Sequence, residues 1–254
     1  MRRLILVLIL LLLPAVGWTG EYVLIKGKGV EVCEEYGKNL NSFDLHNKYD
    51  MACKRKINSE FTELKAPEWR KMDLWKNREF LKKVERFLGL QGSYADPDTN
   101  LQEWERILKE RIEETYLYAT VIMTSQIDID NDGKMENVIK YSNGYCPGGN
   151  YFGSSLMVLN DDKSEVDIKK TKPLLQNPQY YPKLPNEPLS RGWRFAMYDV
   201  FFYKSKAYFD RWSGDQWIGS KDKTEILKVF VTETDKKGKA STKEICRYRF
   251  RPVK

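Results

Sequence analysis

Asp128-Ile129-Asp130-Asn131-Asp132-Gly133-Lys134-Met135-Glu136 lies between two apolar runs, and the order of run, loop and run sets the reading of the chain. Leu117 to Ile129 is rich in β-branched and aromatic residues, and Val138-Ile139-Lys140-Tyr141 has the same character. Such residues suit a pleated, half-buried surface, so two strands joined by an acidic turn are predicted. Asp128, Asp130 and Asp132 alternate, and Gly133 follows at once. A loop of this form points alternate side chains inward around a hard cation. Ca²⁺ takes six to eight oxygens in flexible geometry, and Mg²⁺ prefers fewer protein ligands in a strict octahedron. The three Asp carboxylates, the Lys134 carbonyl and the Glu136 carboxylate supply most of what Ca²⁺ needs. Gly133 permits the sharp turn, because positive φ costs glycine little. The competing reading is a polar turn, since Asp-Gly closes hairpins without any metal.

The spacing resembles two kinds of calcium loop. It matches an EF-hand loop at its first, third, fifth and sixth positions. It departs at the twelfth, where Ile139 replaces the bidentate Glu, and strand-like runs replace the flanking helices. Asp-x-Asp-x-Asp-Gly-x-x-Glu between two strands is similar to the loop of FG-GAP and VCBS-type repeats. That resemblance implies Asp128, Asp130, Asp132, Lys134 (through its carbonyl) and Glu136 as ligands of one Ca²⁺. It covers the strand–loop–strand unit in a single copy, so a propeller does not follow from it.

Residues 1–17 read as a signal peptide. Arg2 and Arg3 precede an aliphatic run from Leu4 to Leu13, and Ala15-Val16-Gly17 is a small-x-small cleavage site. The run is short for a membrane span, which needs about 20 apolar residues. Cleavage leaves about 237 residues, enough for one large or two small domains. It removes two arginines and no acid, taking the formal net charge from +7 to +5. That mild excess suits a soluble periplasmic or secreted protein near anionic envelope polymers and is too weak to argue for nucleic acid. The layout is that of an exported bacterial protein with no stable membrane span after cleavage.

The four cysteines are Cys33, Cys53, Cys146 and Cys246. An even count in an exported chain predicts two disulfides, and none of the spacings makes a zinc knuckle. Three pairings are open. Cys33–Cys53 with Cys146–Cys246 is favoured because each bridge closes within one half of the chain.

The fold class expected is α+β. Residues 18–116 form a small, mainly helical region, and 117–254 an antiparallel β region of about eight strands. The β region is a curved sheet, a sandwich or a partly open barrel. In the first region Tyr22–Ile25 reads as a strand. Val32, Cys33, Tyr36 and Leu40 share a helical face, and Ala66-Pro67-Glu68-Trp69 reads as a helix start. Phe80, Leu81, Val84, Phe87 and Leu88 form one helical stripe, and Leu101, Trp104, Leu108 and Ile112 a second. In the second region hairpins are predicted over Ser155–Lys170, Val200–Trp212 and Glu225–Arg251. The last strand carries Cys246, Tyr248 and Phe250 on one face and Arg247, Arg249 and Arg251 on the other.

No catalytic residues are assigned. His46 is the lone histidine, which weakens Ser-His and Cys-His schemes. The leading function is a calcium-binding, disulfide-stabilised envelope protein that binds a protein or an envelope component. One alternative is a glycan or cell-wall hydrolase using Asp210 or Asp215 beside Trp212 and Trp217. Trp193, Trp212 and Trp217, with Tyr180 and Tyr181, would make its sugar-stacking platform, although aromatic burial explains most such residues. Another alternative is an inhibitor or chaperone of a periplasmic enzyme.

Overall fold

The structure is a computed structural model, and it describes residues 20–46, 50–53, 55–88, 101–113, 120–143, 153–174, 195–214 and 225–252. In chain order the elements begin with β1 (Gly20–Lys26), α1 (Glu31–Asn41), α2 (Asp50–Cys53), β2 (Leu64–Lys65) and β3 (Arg70–Lys71). Then come α3 (Arg78–Phe87), α4 (Leu101–Glu113), β4 (Val121–Ile127), β5 (Glu136–Asn143), β6 (Gly153–Val158) and α5 (Ile168–Thr171). The chain ends with β7 (Phe195–Tyr203), β8 (Lys206–Gly214), β9 (Glu225–Thr234) and β10 (Ala240–Pro252). The fold is α+β and mainly antiparallel, as the C-terminal pattern predicts. Among the described residues the strands make a six-stranded sheet, β1-β10-β9-β8-β7-β2, and a four-stranded sheet, β3-β4-β5-β6.

Three apolar layers hold these parts together. The larger sheet curls into a half-barrel around α1. There Val32, Cys33, Tyr36 and Leu40 meet Tyr22, Phe201, Trp212 and Tyr248, so the predicted helical face is the buried one. The second layer lies between the sheets, where Ile127, Val138, Leu156 and Val158 face Val200, Phe209 and Phe230. In the third, Ile122, Ile139 and Met157 pack under Leu81 and Val84 of α3 and Trp104 and Leu108 of α4. Both faces of β5 are therefore covered, Val138 toward one layer and Ile139 toward another. A strand buried on both sides reads as a continuous apolar run, which is the character of this segment. β10 alternates as predicted: Cys246, Tyr248 and Phe250 are buried, while Arg247 and Arg249 are half-buried and Arg251 is exposed.

The N-terminal region does not stand apart from the sheets, because β1, β2 and β3 pair with β10, β7 and β4. This corrects one helix expectation. Ala66 to Trp69 is not helical; it is the stretch by which the chain leaves the larger sheet at β2 and enters the smaller one at β3. Strand pairing on either side keeps it open, and Pro67 removes a donor that a helix could use beyond its first turn. A second correction falls after β6. Val166 makes a single bridge to Leu159, and Ile168–Thr171 then turns into α5 in place of a strand. The Asp167 carboxylate accepts from Lys169 N and Lys170 N, an N-cap that satisfies donors a strand would have left to a neighbour.

The disulfide also departs from expectation. Neither Cys33–Cys53 nor Cys146–Cys246 forms; Cys33 of α1 bonds Cys246 of β10, with Cα atoms 5.5 Å apart and 213 residues between them in sequence. The cause is the pairing of β1 with β10, which runs from Gly20↔Pro252 to Lys26↔Arg247. The chain turns at Gly27 and sends α1 back over that pair, so Cys33 lands on Cys246. Gly27 has φ +96°, and a Cβ there would lie 2.6 Å from the Ile245 carbonyl oxygen and 2.7 Å from Cys33 Sγ. Only glycine fits this turn. Cys53 ends α2, and Cys146 lies outside the described residues.

Candidate metal centre

The acidic stretch is the connection of a β-hairpin. β4 and β5 pair from Val121↔Ser142 to Ile127↔Glu136, and the loop begins at Asp128. Gly133 takes φ +91°, as its place in the motif requires. Asp128 organises the turn: its Oδ1 accepts from Asp132 N at 2.9 Å and its Oδ2 from Gly133 N at 3.0 Å. Carboxylate oxygens of Asp128, Asp130 and Glu136 converge to within 4.8 Å of one another. Asp130 and Glu136 are buried, and Asp128 is half-buried. Of the five predicted ligands, the structure brings these three together. Asp132 and Lys134 stay at the loop tip, where Asp132 Oδ1 accepts from Lys134 N at 2.8 Å.

Two contacts to the cluster come from far along the chain and carry no signal in the loop's own sequence. Thr234 of β9 donates its hydroxyl to Asp130 Oδ2 at 2.7 Å. Lys170 of α5 donates to Glu136 Oε1 at 2.7 Å, and Glu136 Oε2 accepts from Ile129 N at 3.2 Å. Burial raises the Glu136 carboxyl above its ordinary range, and Asp130 beside it adds to the rise, while the Lys170 ammonium opposes both. One oxygen is left over. Asp130 Oδ1 is buried and accepts no hydrogen bond. A buried acceptor without a donor costs about 1–3 kcal/mol, and more when charged. A cation shared by the three carboxylates would remove that deficit, so these residues fit a hard metal ion.

The loop is also fastened to the larger sheet. Asn131 has φ +56°, a left-handed conformation that asparagine tolerates better than most residues. Its Nδ2 donates to the carbonyls of Ala207 at 3.1 Å and Thr232 at 2.9 Å, and its Oδ1 accepts from Ala207 N at 2.9 Å. β8 and β9 pair from Trp212↔Leu227 to Phe209↔Phe230 and no further, so Asn131 supplies hydrogen bonds where that ladder stops. Thr234 N donates to the Asp130 carbonyl at 3.1 Å beside it. Asn131→Ala should lower stability by about 1–3 kcal/mol, because three main-chain groups lose their partner. Urea unfolding in EDTA measures this without any metal contribution. A change below about 0.5 kcal/mol, the range of ordinary surface substitutions, would mean that solvent replaces the asparagine.

The residues considered for glycan hydrolysis fare differently. Asp210 is fully buried, and its carboxylate is occupied by Arg55, by the Tyr36 hydroxyl at 2.6 Å and by Trp212 Nε1 at 3.2 Å. It is not open to a substrate. Trp212 is also core: its ring meets Tyr22 edge-on at 5.4 Å and lies under the Arg55 guanidinium at 5.3 Å. Asp215, Tyr180, Tyr181, Trp193 and Trp217 lie outside the described residues.

No protein-family model matches the chain, and no curated protein or solved structure matches it at a significant level. The class is therefore defined by fold and site alone: a two-sheet α+β protein with a disulfide-tied helix and a carboxylate cluster on a hairpin loop. Among the described residues no helix is long and apolar enough to cross a membrane.

Proposed function

We propose that this is an exported protein whose β4–β5 loop binds one Ca²⁺, and that it serves a binding or structural role at the cell envelope. The observation that carries the reading is Asp130 Oδ1, a buried carboxylate oxygen without a donor beside two further carboxylates. An all-oxygen, carboxylate-rich set suits Ca²⁺, and the FG-GAP-like spacing supports the same ion. Export is supported by the apolar leader and by a disulfide, a bond that persists in oxidising compartments. The mild net positive charge favours an anionic envelope component or an acidic protein surface as partner. The enclosure of Asp210 removes that residue as a hydrolase acid. In the hairpin, Ca²⁺ would join β4–β5 more firmly to β9, because Asp130 already bonds Thr234.

The test is thermal unfolding of the oxidised protein in EDTA and in millimolar Ca²⁺. At a hundredfold excess over Kd, Ca²⁺ should add about 2.7 kcal/mol, which for a chain of this size is a rise of roughly 5–10 °C in Tm. The rise should vanish in Asp128→Ala/Asp130→Ala, and Mg²⁺ should give much less. Equal melting of the wild type in EDTA and in Ca²⁺ would leave the loop as a polar turn.

A further inference from the structure

A polar cleft borders the carboxylate cluster at Asp128. It has a volume of about 790 Å³ and lies between the acidic loop, the β7–β8 turn and the adjoining ends of β9 and β10. That size is within the usual range for small-molecule sites, about 300–1,000 Å³. Its lining consists of charged residues, hydroxyls, an amide and a glycine, with no aromatic or aliphatic side chain. A ligand here is held by polar groups, not by apolar burial.

Asp128 and Asp132 stand on the loop side, and Lys204, Lys206, Lys243, Glu233 and Asp235 on the strand side. Asp128 belongs both to the cluster and to the cleft, and it is the cluster member that solvent reaches. Thr234 also lines the cleft while its hydroxyl holds Asp130. On the facing side Lys206 and Lys243 share one carboxylate, that of Glu233, at 2.5 Å and 3.8 Å. Lys204 is drawn elsewhere, to Glu31 at 2.7 Å. The turn that presents Lys206 is set by positive φ at Lys204 and Ser205, so this ammonium stands on a defined frame.

Asp130 and Glu136 are buried and do not line the cleft, so a Ca²⁺ held by the three carboxylates would meet the cleft beside Asp128. Ca²⁺ takes six to eight oxygens, more than these three carboxylates and the loop's carbonyl supply unless several bind in bidentate fashion. A group bound in the cleft beside Asp128 would supply the remainder. From this geometry we propose that the cleft binds a small, hydroxyl-rich oxyanion, a carboxylate or phosphate carried on a sugar. Its anionic group bridges the loop-bound Ca²⁺ and the Lys206/Lys243 pair. The inference rests on the calcium reading above.

The experiment is a calorimetric titration of the oxidised full chain with galacturonic acid, glucose 6-phosphate and neutral galactose, each in Ca²⁺ and in EDTA. At least one of the two acids should bind in Ca²⁺, at least tenfold more tightly than galactose and at least tenfold more tightly than in EDTA. Which acid binds more tightly identifies the carboxylate or the phosphate as the preferred group. Lys206→Ala/Lys243→Ala, confirmed as folded by its melting curve, should weaken that acid at least tenfold. Binding that is equal in EDTA, equal for galactose, or unchanged in the lysine variant overturns the proposal. A Ca²⁺-dependent rise in Tm with no binding of either acid also overturns it and leaves the calcium site standing. Absence of the Tm rise removes both.

Discussion

Arg55→Met should lower the stability of this protein by about 3–5 kcal/mol, the cost of leaving buried charge without its partner. Asp199 of β7 and Asp210 of β8 stand directly opposite each other across the ladder. Like charges in that position repel, and neither is open to water: Asp210 is fully buried and Asp199 nearly so. Arg55 resolves the conflict. It grips both oxygens of Asp210 and reaches to 3.8 Å from Asp199, while Lys140 from the smaller sheet bonds Asp199 at 2.9 Å. Two cations thus meet two carboxylates between the layers, with the Tyr36 hydroxyl and Trp212 Nε1 completing the shell of Asp210. Urea unfolding at neutral pH is the measurement. Arg55→Met/Asp210→Leu should recover much of the loss, because an apolar pair of similar volume often serves as well as a buried ion pair. A loss below about 1 kcal/mol in the single variant, far under the cost of a broken buried pair, would mean that water or another cation reaches the site.

The same network sets a pH dependence. Burial alone would raise the Asp199 carboxyl, but Arg55 and Lys140 outweigh it and hold the group below its ordinary range. A carboxyl depressed in the folded state contributes stability that is present above its unfolded pKa, about 3.9. That contribution is lost as pH falls through the folded value. Removing Arg55 lets the folded value rise, so acid unfolding of Arg55→Met should begin at higher pH than that of the wild type. An unchanged acid midpoint would place the charge balance of Asp199 on Lys140 alone.

The second large effect belongs to the disulfide. Joining residues 213 apart removes much of the freedom of the unfolded chain. The loop-entropy relation gives about 5 kcal/mol for that separation, against about 3 kcal/mol for a loop of Cys33–Cys53 size. Cys33→Ser/Cys246→Ser should therefore shift the urea midpoint strongly, and α1 should lose protection from hydrogen exchange before the centre of the sheet does. Both sulfurs are shielded, and Tyr248 donates its hydroxyl to the Cys33 carbonyl beside them. Peptide mapping without reduction should recover Cys33 linked to Cys246. A peptide linking Cys33 to Cys53 would sink this account of how α1 is held.

Much of this was legible in local pattern. Helical faces at Val32–Leu40 and Phe80–Leu88 are buried as their spacing predicts, and alternation along β10 assigns its two faces. Hairpins at Lys204-Ser205 and Asp235–Gly238 follow from strand-forming runs on either side. In the acidic loop the spacing names Asp128, Asp130, Asp132, Lys134 and Glu136, of which the carboxylates of Asp128, Asp130 and Glu136 converge. Of the two misread segments, one was decided by distant strands and the other by a local cap. Ala66–Trp69 is stretched between two sheets, and Val166–Lys170 is bent by an N-cap.

The sequence by itself determined the α+β class, the strand–loop–strand unit and the chemistry of its carboxylates. Periodicity and residue type act over a few neighbours, and those neighbours are visible in the chain. Only the tertiary structure decided that Cys33 meets Cys246, that Lys170 and Thr234 reach the carboxylate cluster, and that Asp210 serves the core. Each of these depends on strand pairing and layer order between segments far apart in sequence. Such contacts are selected by the burial of whole faces, and no local spacing records them.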